Sequence, residues 1–247
     1  MQKIEVGHTN ESYRDGDKFI QFKKYNNFNH KIDYALLKEL NFVPKLLKND
    51  EKSLSWEFIE SQPIDFSDAD LKQIAENFKT LHNSNLKFPK TNHAARVKEY
   101  RRKIREKGLK IDVLDQYYKR INTILAKSLN NCPLHNDIYA ANLIKDKQGK
   151  IYFIDWEYAS MGDKHFDLAY FITGSFLTAQ QEKTFLKYYE NYWEEYLIQQ
   201  KIFVYYLVIL WLNEKDVKPF DDSYSIQKLK ETVALYEYKK KNNLFKK

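Results

Sequence analysis

The sequence predicts an α+β fold in two unequal lobes, a small sheet-bearing N-terminal lobe and a larger, mostly helical C-terminal lobe. Three observations predict it. Short segments of strand character crowd the first sixty residues, and from Ser67 onward apolar residues recur at helical spacing along most of the chain. A short hairpin pattern, Leu143 to Lys145 and Ile151 to Ile154 around the turn DKQG, then interrupts the helical region. The connector Glu60 to Phe66, which contains Pro63, divides the chain into lobes at 1–60 and 61–247.

Ser12 to Arg14, the turn residues Asp15-Gly16-Asp17 and Lys18 to Lys23 read as a hairpin, with Phe and Ile supplying strand propensity. Residues 30–40, HKIDYALLKEL, place Ile32, Leu36, Leu37 and Leu40 on one face of a helix that Pro44 stops from continuing. SLSWEFI at 53–59 is the next strand. Ser67 is suited to cap a helix through Leu71, Ile74, Ala75, Phe78 and Leu81, with Asp70 at the favourable third position. Helices follow at about 94–107 and 112–128. Thr178 with Gln181 forms a capping-box pattern for a helix to about 198, and two more helices are expected near 200–213 and 224–238.

Composition narrows the class. The chain has 247 residues, 43% hydrophobic and 30% charged, with only six Gly and five Pro, which is the make-up of an ordered globular protein. The sole cysteine, Cys132, has no internal disulfide partner, so a reducing, cytoplasmic setting is expected. The polar N-terminus lacks a signal peptide's apolar core. The longest apolar run, Ile202 to Leu212, spans about 17 Å as a helix, too short for stable membrane insertion and suited to a buried core helix. The net charge of +7 comes from lysines spread along the chain; with no finger, basic zipper or aromatic RNA-binding strand, no nucleic-acid partner is expected.

Residues 131–142, NCPLHNDIYAAN, have no clean periodicity, yet Asp137 and Asn142 stand there in one loop and Asp155 follows at a strand end. Phosphoryl transfer needs these residue types, because it works mainly by positioning a nucleophile and neutralising charge on phosphate oxygens. One carboxylate can take the proton of an attacking hydroxyl; a second carboxylate and an amide oxygen are hard ligands for Mg²⁺. Each residue alone has a structural reading, as a turn residue, an Asx turn or a helix cap. Flanked by strands, the set favours the cleft.

The segment LHNDIYAANLIKDKQGKIYFIDWEYASMGDKHFDLAYF, 134–171, resembles the catalytic region of the choline/ethanolamine kinase family in its bacterial LicA-like form. That family belongs to the wider protein-kinase-like group that holds aminoglycoside phosphotransferases and thiamine kinases. His135, Asp137 and Asn142 match its catalytic loop, Ile154 to Tyr158 its metal-binding segment, and Asp167-Leu168-Ala169 a downstream motif. The resemblance implies a bilobal protein-kinase-like fold with ATP and Mg²⁺ as cofactors. Asp137 would be the catalytic base, Asn142 and Asp155 the metal ligands, His135 a brace for the loop and Asp167 a holder of nearby amides. Glu157 is expected either as a metal- or substrate-side carboxylate or as a salt bridge at the cleft rim.

In the N-lobe, Gly7-His8-Thr9-Asn10 resembles the family's nucleotide loop, which nominates Asn10. Phe28 to Asp33 resembles the start of its regulatory-type helix, which places Asp33 at an acid whose basic partner would be Lys23, or Lys24 if the alignment slips. Trp56-Glu57-Phe58-Ile59 sits where the adenine-binding hinge would be, nominating Glu57 and Ile59. The acceptor implied is a small alcohol, choline first, then ethanolamine, with thiamine as the alternative. A cationic ligand of that kind needs aromatic faces. Tyr158 and Trp211 are the candidates, while Val208 and Gly174 depart from the family pattern. A kinase-like binding protein without catalysis is the reading from another class.

Overall fold

The computed structural model describes residues 1–4 and 10–246. Gly7, His8 and Thr9 of the expected nucleotide loop lie outside the described residues. The N-terminal lobe is an antiparallel sheet of β1 (Gln2–Ile4), β2 (Glu11–Asp15), β3 (Lys18–Phe22), β4 (Leu46–Asn49) and β5 (Ser53–Glu57), in the order β1-β2-β3-β5-β4. The predicted hairpin is β2–β3. Asp15 pairs with Lys18, and Gly16 takes the left-handed φ of +59° that so tight a turn requires. On β3 the alternation turns Phe19 and Gln21 toward the cleft.

The helix expected over 30–40 is instead one short 3₁₀ segment, Tyr34–Glu39. Its start is set by Asp33, whose carboxylate accepts from the Ala35 N–H, and its end by a bond from the Leu40 N–H to the Leu37 carbonyl. Ile32, Leu37 and Leu40 are buried as their spacing predicted, but the residues before them are engaged elsewhere. Asn26 and Asn29 bond each other's backbone, and His30 has a φ of +52°. No α-helical turn can form there.

The C-terminal lobe holds α1 (Asp68–Asn83), α2 (His93–Glu106), α3 (Asp112–Gln116), α4 (Tyr118–Lys127), α5 (Lys164–Gly174), α6 (Ala179–Tyr189), α7 (Glu194–Glu214) and α8 (Ser223–Lys241). Ser67 caps α1 and the Thr178–Gln181 box caps α6, as the sequence predicts. The helix expected from 178 to 198 breaks earlier. The Lys79 Nζ bonds the Tyr188 carbonyl and the Glu190 carboxylate, Glu190 adopts φ +67°, and the Trp193 N–H donates to His165 Nε2. The long apolar helix α7 therefore begins at Glu194. Among the described residues no helix is long and apolar enough to cross a membrane.

Four short strands lie between the helices, β6 (Cys132–Leu134) paired with β9 (Ser160–Gly162) and β7 (Leu143–Lys145) paired with β8 (Ile151–Phe153). Helix α1 grips the second pair. Asn77 donates to the Ile151 carbonyl at 3.0 Å, the Gln73 amide bonds the Gly149 carbonyl and the Ile151 N–H, and Asp70 pairs with Lys145 at 2.8 Å. Beneath it, Phe78 packs edge-on against Phe153 and Phe185, and Phe171 against Phe185. All four rings are fully buried. The hairpin that carries the polar constellation at its ends is thereby fixed to the densest part of the core.

Candidate active site

Between β6 and β7 the chain forms a loop whose shape is dictated by one buried carboxylate. Asp167, in the first turn of α5 and without solvent exposure, accepts from the N–H of His135 at 2.8 Å and of Asn136 at 2.7 Å, and from His82 at 3.2 Å. Asn136 has a φ of +68°, and its amide bonds the Tyr158 carbonyl and the Ser160 hydroxyl. His135 is fully buried, and its Nε2 donates to the Ile154 carbonyl at 2.9 Å. Burial pushes its pKa down to about 4, so the ring is neutral, and the carbonyl acceptor fixes the proton on Nε2. The loop is thus clamped to the strand end that carries Asp155.

The cleft between the lobes is a cavity of about 900 Å³, and Asp137, Asn142 and Asp155 all line it. The Asn142 amide donates to the Asp137 carbonyl at 2.7 Å and to its carboxylate at 3.3 Å. That leaves the Asn142 Oδ1 without a hydrogen bond among the described residues. Depth in the cleft lifts the Asp137 pKa to about 7, against a hydrogen bond from Tyr170 and the charge of Arg96, which both lower it. Asp155 is also raised, by burial first and then by the negative charges of Glu157 and Asp137. It adopts φ +64°, ψ +59°, a conformation that Asp tolerates better than most residues and that aims a functional group at some cost in strain.

Two protein oxygens suit Mg²⁺, which keeps several waters and shares its shell with phosphates. The uncommitted Asn142 Oδ1 and the Asp155 carboxylate, which takes one bond from Gln21 Nε2 at 3.1 Å, fit that requirement. Among the described residues no cluster of three His, Cys, Asp or Glu offers an all-protein metal cage.

The nucleotide-side nominees divide. Asn10, Glu57 and Ile59 line the cavity. The N–H groups of Glu57 and Phe58 are bonded to the carbonyls of Lys45 and Asp17, whereas that of Ile59 has no partner among the described residues. It is an open donor on the cavity wall. Lys23 and Asp33 are not brought together. Lys23 follows the last residue of β3 and bonds Asn49 Oδ1 at 2.8 Å and the Asp50 carbonyl at 2.6 Å, Asp33 is an exposed cap, and Lys24 pairs with Glu11. The strand position that faces Asp155 belongs to Gln21. Gln21 carries no charge to mark it in the sequence, but the inward alternation Phe19, Gln21 does.

Glu157 also lies away from its expected place. It is 2% exposed and does not line the cavity; its Oε2 accepts from Asn10 at 2.8 Å, Asn29 at 3.0 Å and His30 at 3.0 Å. The backbone adds a bond from the His30 N–H to the Glu157 carbonyl at 2.7 Å. The residue is neither at the rim nor free for substrate. It is a buried latch between the lobes.

In the C-lobe the cavity is lined by aromatic groups, among them Tyr139, Tyr158, Tyr170, Tyr205, Trp211 and Tyr224. The Tyr158 hydroxyl accepts from Asn26 at 3.1 Å, and the Arg96 guanidinium lies over its ring at 4.5 Å. Trp211 packs against Phe220. Gly174 lies directly under Tyr139, where an added Cβ would stand 3.0 Å from the tyrosine's own.

Residues 42–199 match the model of a phosphotransferase enzyme family. Two curated relatives, each called a protein LicA homolog, come from Mycoplasma capricolum subsp. capricolum and Metamycoplasma hominis. The first is 46% identical over 92% of this chain and 95% of the relative, the second 45% identical over 95% and 96%. Among solved structures, the choline kinase LicA from Streptococcus pneumoniae superposes with a TM-score of 0.74 at 24% identity, covering 96% of this chain and 95% of that one. A Plasmodium vivax ethanolamine kinase gives 0.74 at 17%, covering 96% and 83%. These likenesses establish a bilobal protein-kinase-like fold. With a family model spanning most of the chain and two relatives above 40% identity matched over nearly their whole length, the chain belongs to the phosphotransferase enzyme family and is similar to the LicA homologs within it.

Proposed function

We propose that the chain transfers the γ-phosphoryl group of ATP, with Mg²⁺, to the hydroxyl of a small amino alcohol, choline in the first place, in the cytoplasm. The observation that carries the acceptor is the group of C-lobe aromatic residues that line one cavity with Asp137. A quaternary ammonium cannot donate a hydrogen bond and is held by ring faces. The solved choline kinase of the same fold is consistent with that choice. Ethanolamine is the second reading, because its ammonium has N–H donors and Asp221 supplies a carboxylate in the same cavity.

In this reading Asp137 accepts the proton of the acceptor hydroxyl as its oxygen forms a bond to the γ-phosphorus. The bond from that phosphorus to the bridging oxygen breaks, and its electron pair leaves with ADP. Asn142 and Asp155 hold Mg²⁺, whose charge offsets that of the phosphate oxygens. The Ile59 N–H and the neighbouring hinge receive the base, with the lobes dividing at residues 60 and 61. His135 and Asp167 act by holding the loop in place.

The test is ADP release by purified protein offered choline, ethanolamine, thiamine and an aminoglycoside. Choline should stimulate most. Trp211→Ala should raise KM for choline about 5–30-fold, the worth of one cation–π contact, and leave KM for ATP unchanged. Stimulation by thiamine alone would overturn the acceptor, and no stimulation by any of the four would favour a kinase-like binding protein.

A further inference from the structure

Arg96, on α2, is the one cation among the described residues that line the C-lobe side of the cavity. It is only 7% exposed, its Nε has no hydrogen-bond partner, and no carboxylate lies within ion-pair distance of it among the described residues. Its neighbours are tyrosines. The guanidinium stands over the rings of Tyr158 at 4.5 Å and Tyr100 at 5.7 Å. Burial alone would drive it toward the neutral form, and the surrounding Tyr100, Tyr158 and Tyr170 reverse that, so it stays charged. His93, one turn earlier and also buried, is kept neutral by burial and then by Arg96 itself.

A buried guanidinium without a carboxylate is costly unless an anion arrives to pair with it. The cavity it lines is the one that Asp137 and Tyr170 also line. We propose that Arg96 is the anion receptor on the acceptor side of the cleft, taking the phosphoryl group as its ligand once that group has moved to the acceptor. This rests on the amino-alcohol kinase reading, in which the transferred phosphoryl is the anion that the reaction itself delivers beside Asp137. The same charge orients the incoming acceptor. Arg96 covers the Tyr158 ring and repels an ammonium, so the cationic end is directed toward Trp211 and Tyr224 while the hydroxyl end lies by Asp137.

The test is calorimetric titration of the protein, saturated with Mg²⁺ and ADP, with choline, phosphocholine and inorganic phosphate, for wild type, Arg96→Gln and Arg96→Lys. Circular dichroism and ADP affinity report folding. Arg96→Gln should weaken phosphocholine about 10–100-fold, the range for a hydrogen bond to a charged group, and leave choline within about threefold or slightly tighter. Arg96→Lys, which keeps the charge but not the fork, should recover part of the loss and serves as the test should the glutamine variant not fold. Equal losses for choline and phosphocholine would reduce Arg96 to a packing residue, and unchanged phosphocholine affinity would overturn the proposal outright. Wild-type protein that binds neither choline nor phosphocholine would sink the acceptor reading alone. Inorganic phosphate then decides for Arg96, its binding lost in Arg96→Gln in support or retained in refutation.

Discussion

Burial lifts Asp137 to about 7, so at neutral pH its carboxyl is divided between a form that can take a proton and one that cannot. Activity limited by this group should rise with pH through about 7 and level off above it, and a flat profile across that range would remove it as the base. Asp137→Ala should cost about 10²–10⁴-fold in kcat with the fold intact by circular dichroism. Stability should run the other way. A carboxyl whose folded pKa lies above its unfolded value favours the fold when protonated, a contribution full below about 4 and lost as pH rises through about 7. In metal-free protein Asp137→Asn should therefore melt higher than wild type at alkaline pH, with the advantage vanishing in acid. Asp155→Asn should show the same gain, while reducing Mg²⁺-dependent nucleotide binding more than metal-free binding. Equal losses with and without Mg²⁺ would assign Asp155 a structural role. These residues could be nominated because they sit together in 134–171, where their types suggest a cleft and the spaced motifs resemble a kinase family. Gln21 and Arg96 could not, since each acquires meaning only from what the fold places opposite it.

At the scale of elements, the end of α5 underlies the aromatic lining of the cavity. Gly174 is helical and lies under Tyr139, and a methyl group there would push the ring by a few tenths of an ångström. Gly174→Ala should gain up to about 1 kcal/mol of helix propensity. It should nonetheless raise KM for the acceptor with KM for ATP unchanged, and an unaltered acceptor KM would show that Tyr139 is no part of the acceptor site. Elements with strong local signals were readable in advance, such as the Gly16 hairpin, the Ser67 and Thr178 caps and the β7–β8 pair. The failures share a cause. The 3₁₀ segment at Tyr34–Glu39 and the break before α7 are imposed by tertiary partners, Glu157 holding Asn29 and His30 in one case and Lys79 and His165 acting in the other. Periodicity carries no record of such partners.

Across the whole molecule, the two lobes meet through side chains as well as through the connector. Gln21 reaches Asp155, and Asn10, Asn29 and His30 converge on Glu157, so the segment from Asp155 to Tyr158 is held by the N-lobe at the point where it presents the Asp155 carboxylate to the cavity. A Glu157→Gln substitution separates this latch from a direct role in the acceptor site. The new amide would keep the shape, and its oxygen can stand where Oε2 now accepts all three bonds, but those bonds would lose the charge that strengthens them, a cost of about 1–3 kcal/mol. For a chain of this length that corresponds to a fall in melting temperature of about 2–12 °C. With Asp155 no longer held from above, kcat and Mg²⁺·nucleotide affinity should fall together, whereas acceptor affinity, measured by titration, should not change. If acceptor affinity falls while melting temperature and nucleotide affinity stay at wild-type values, Glu157 touches substrate after all, and the latch is not what couples the lobes.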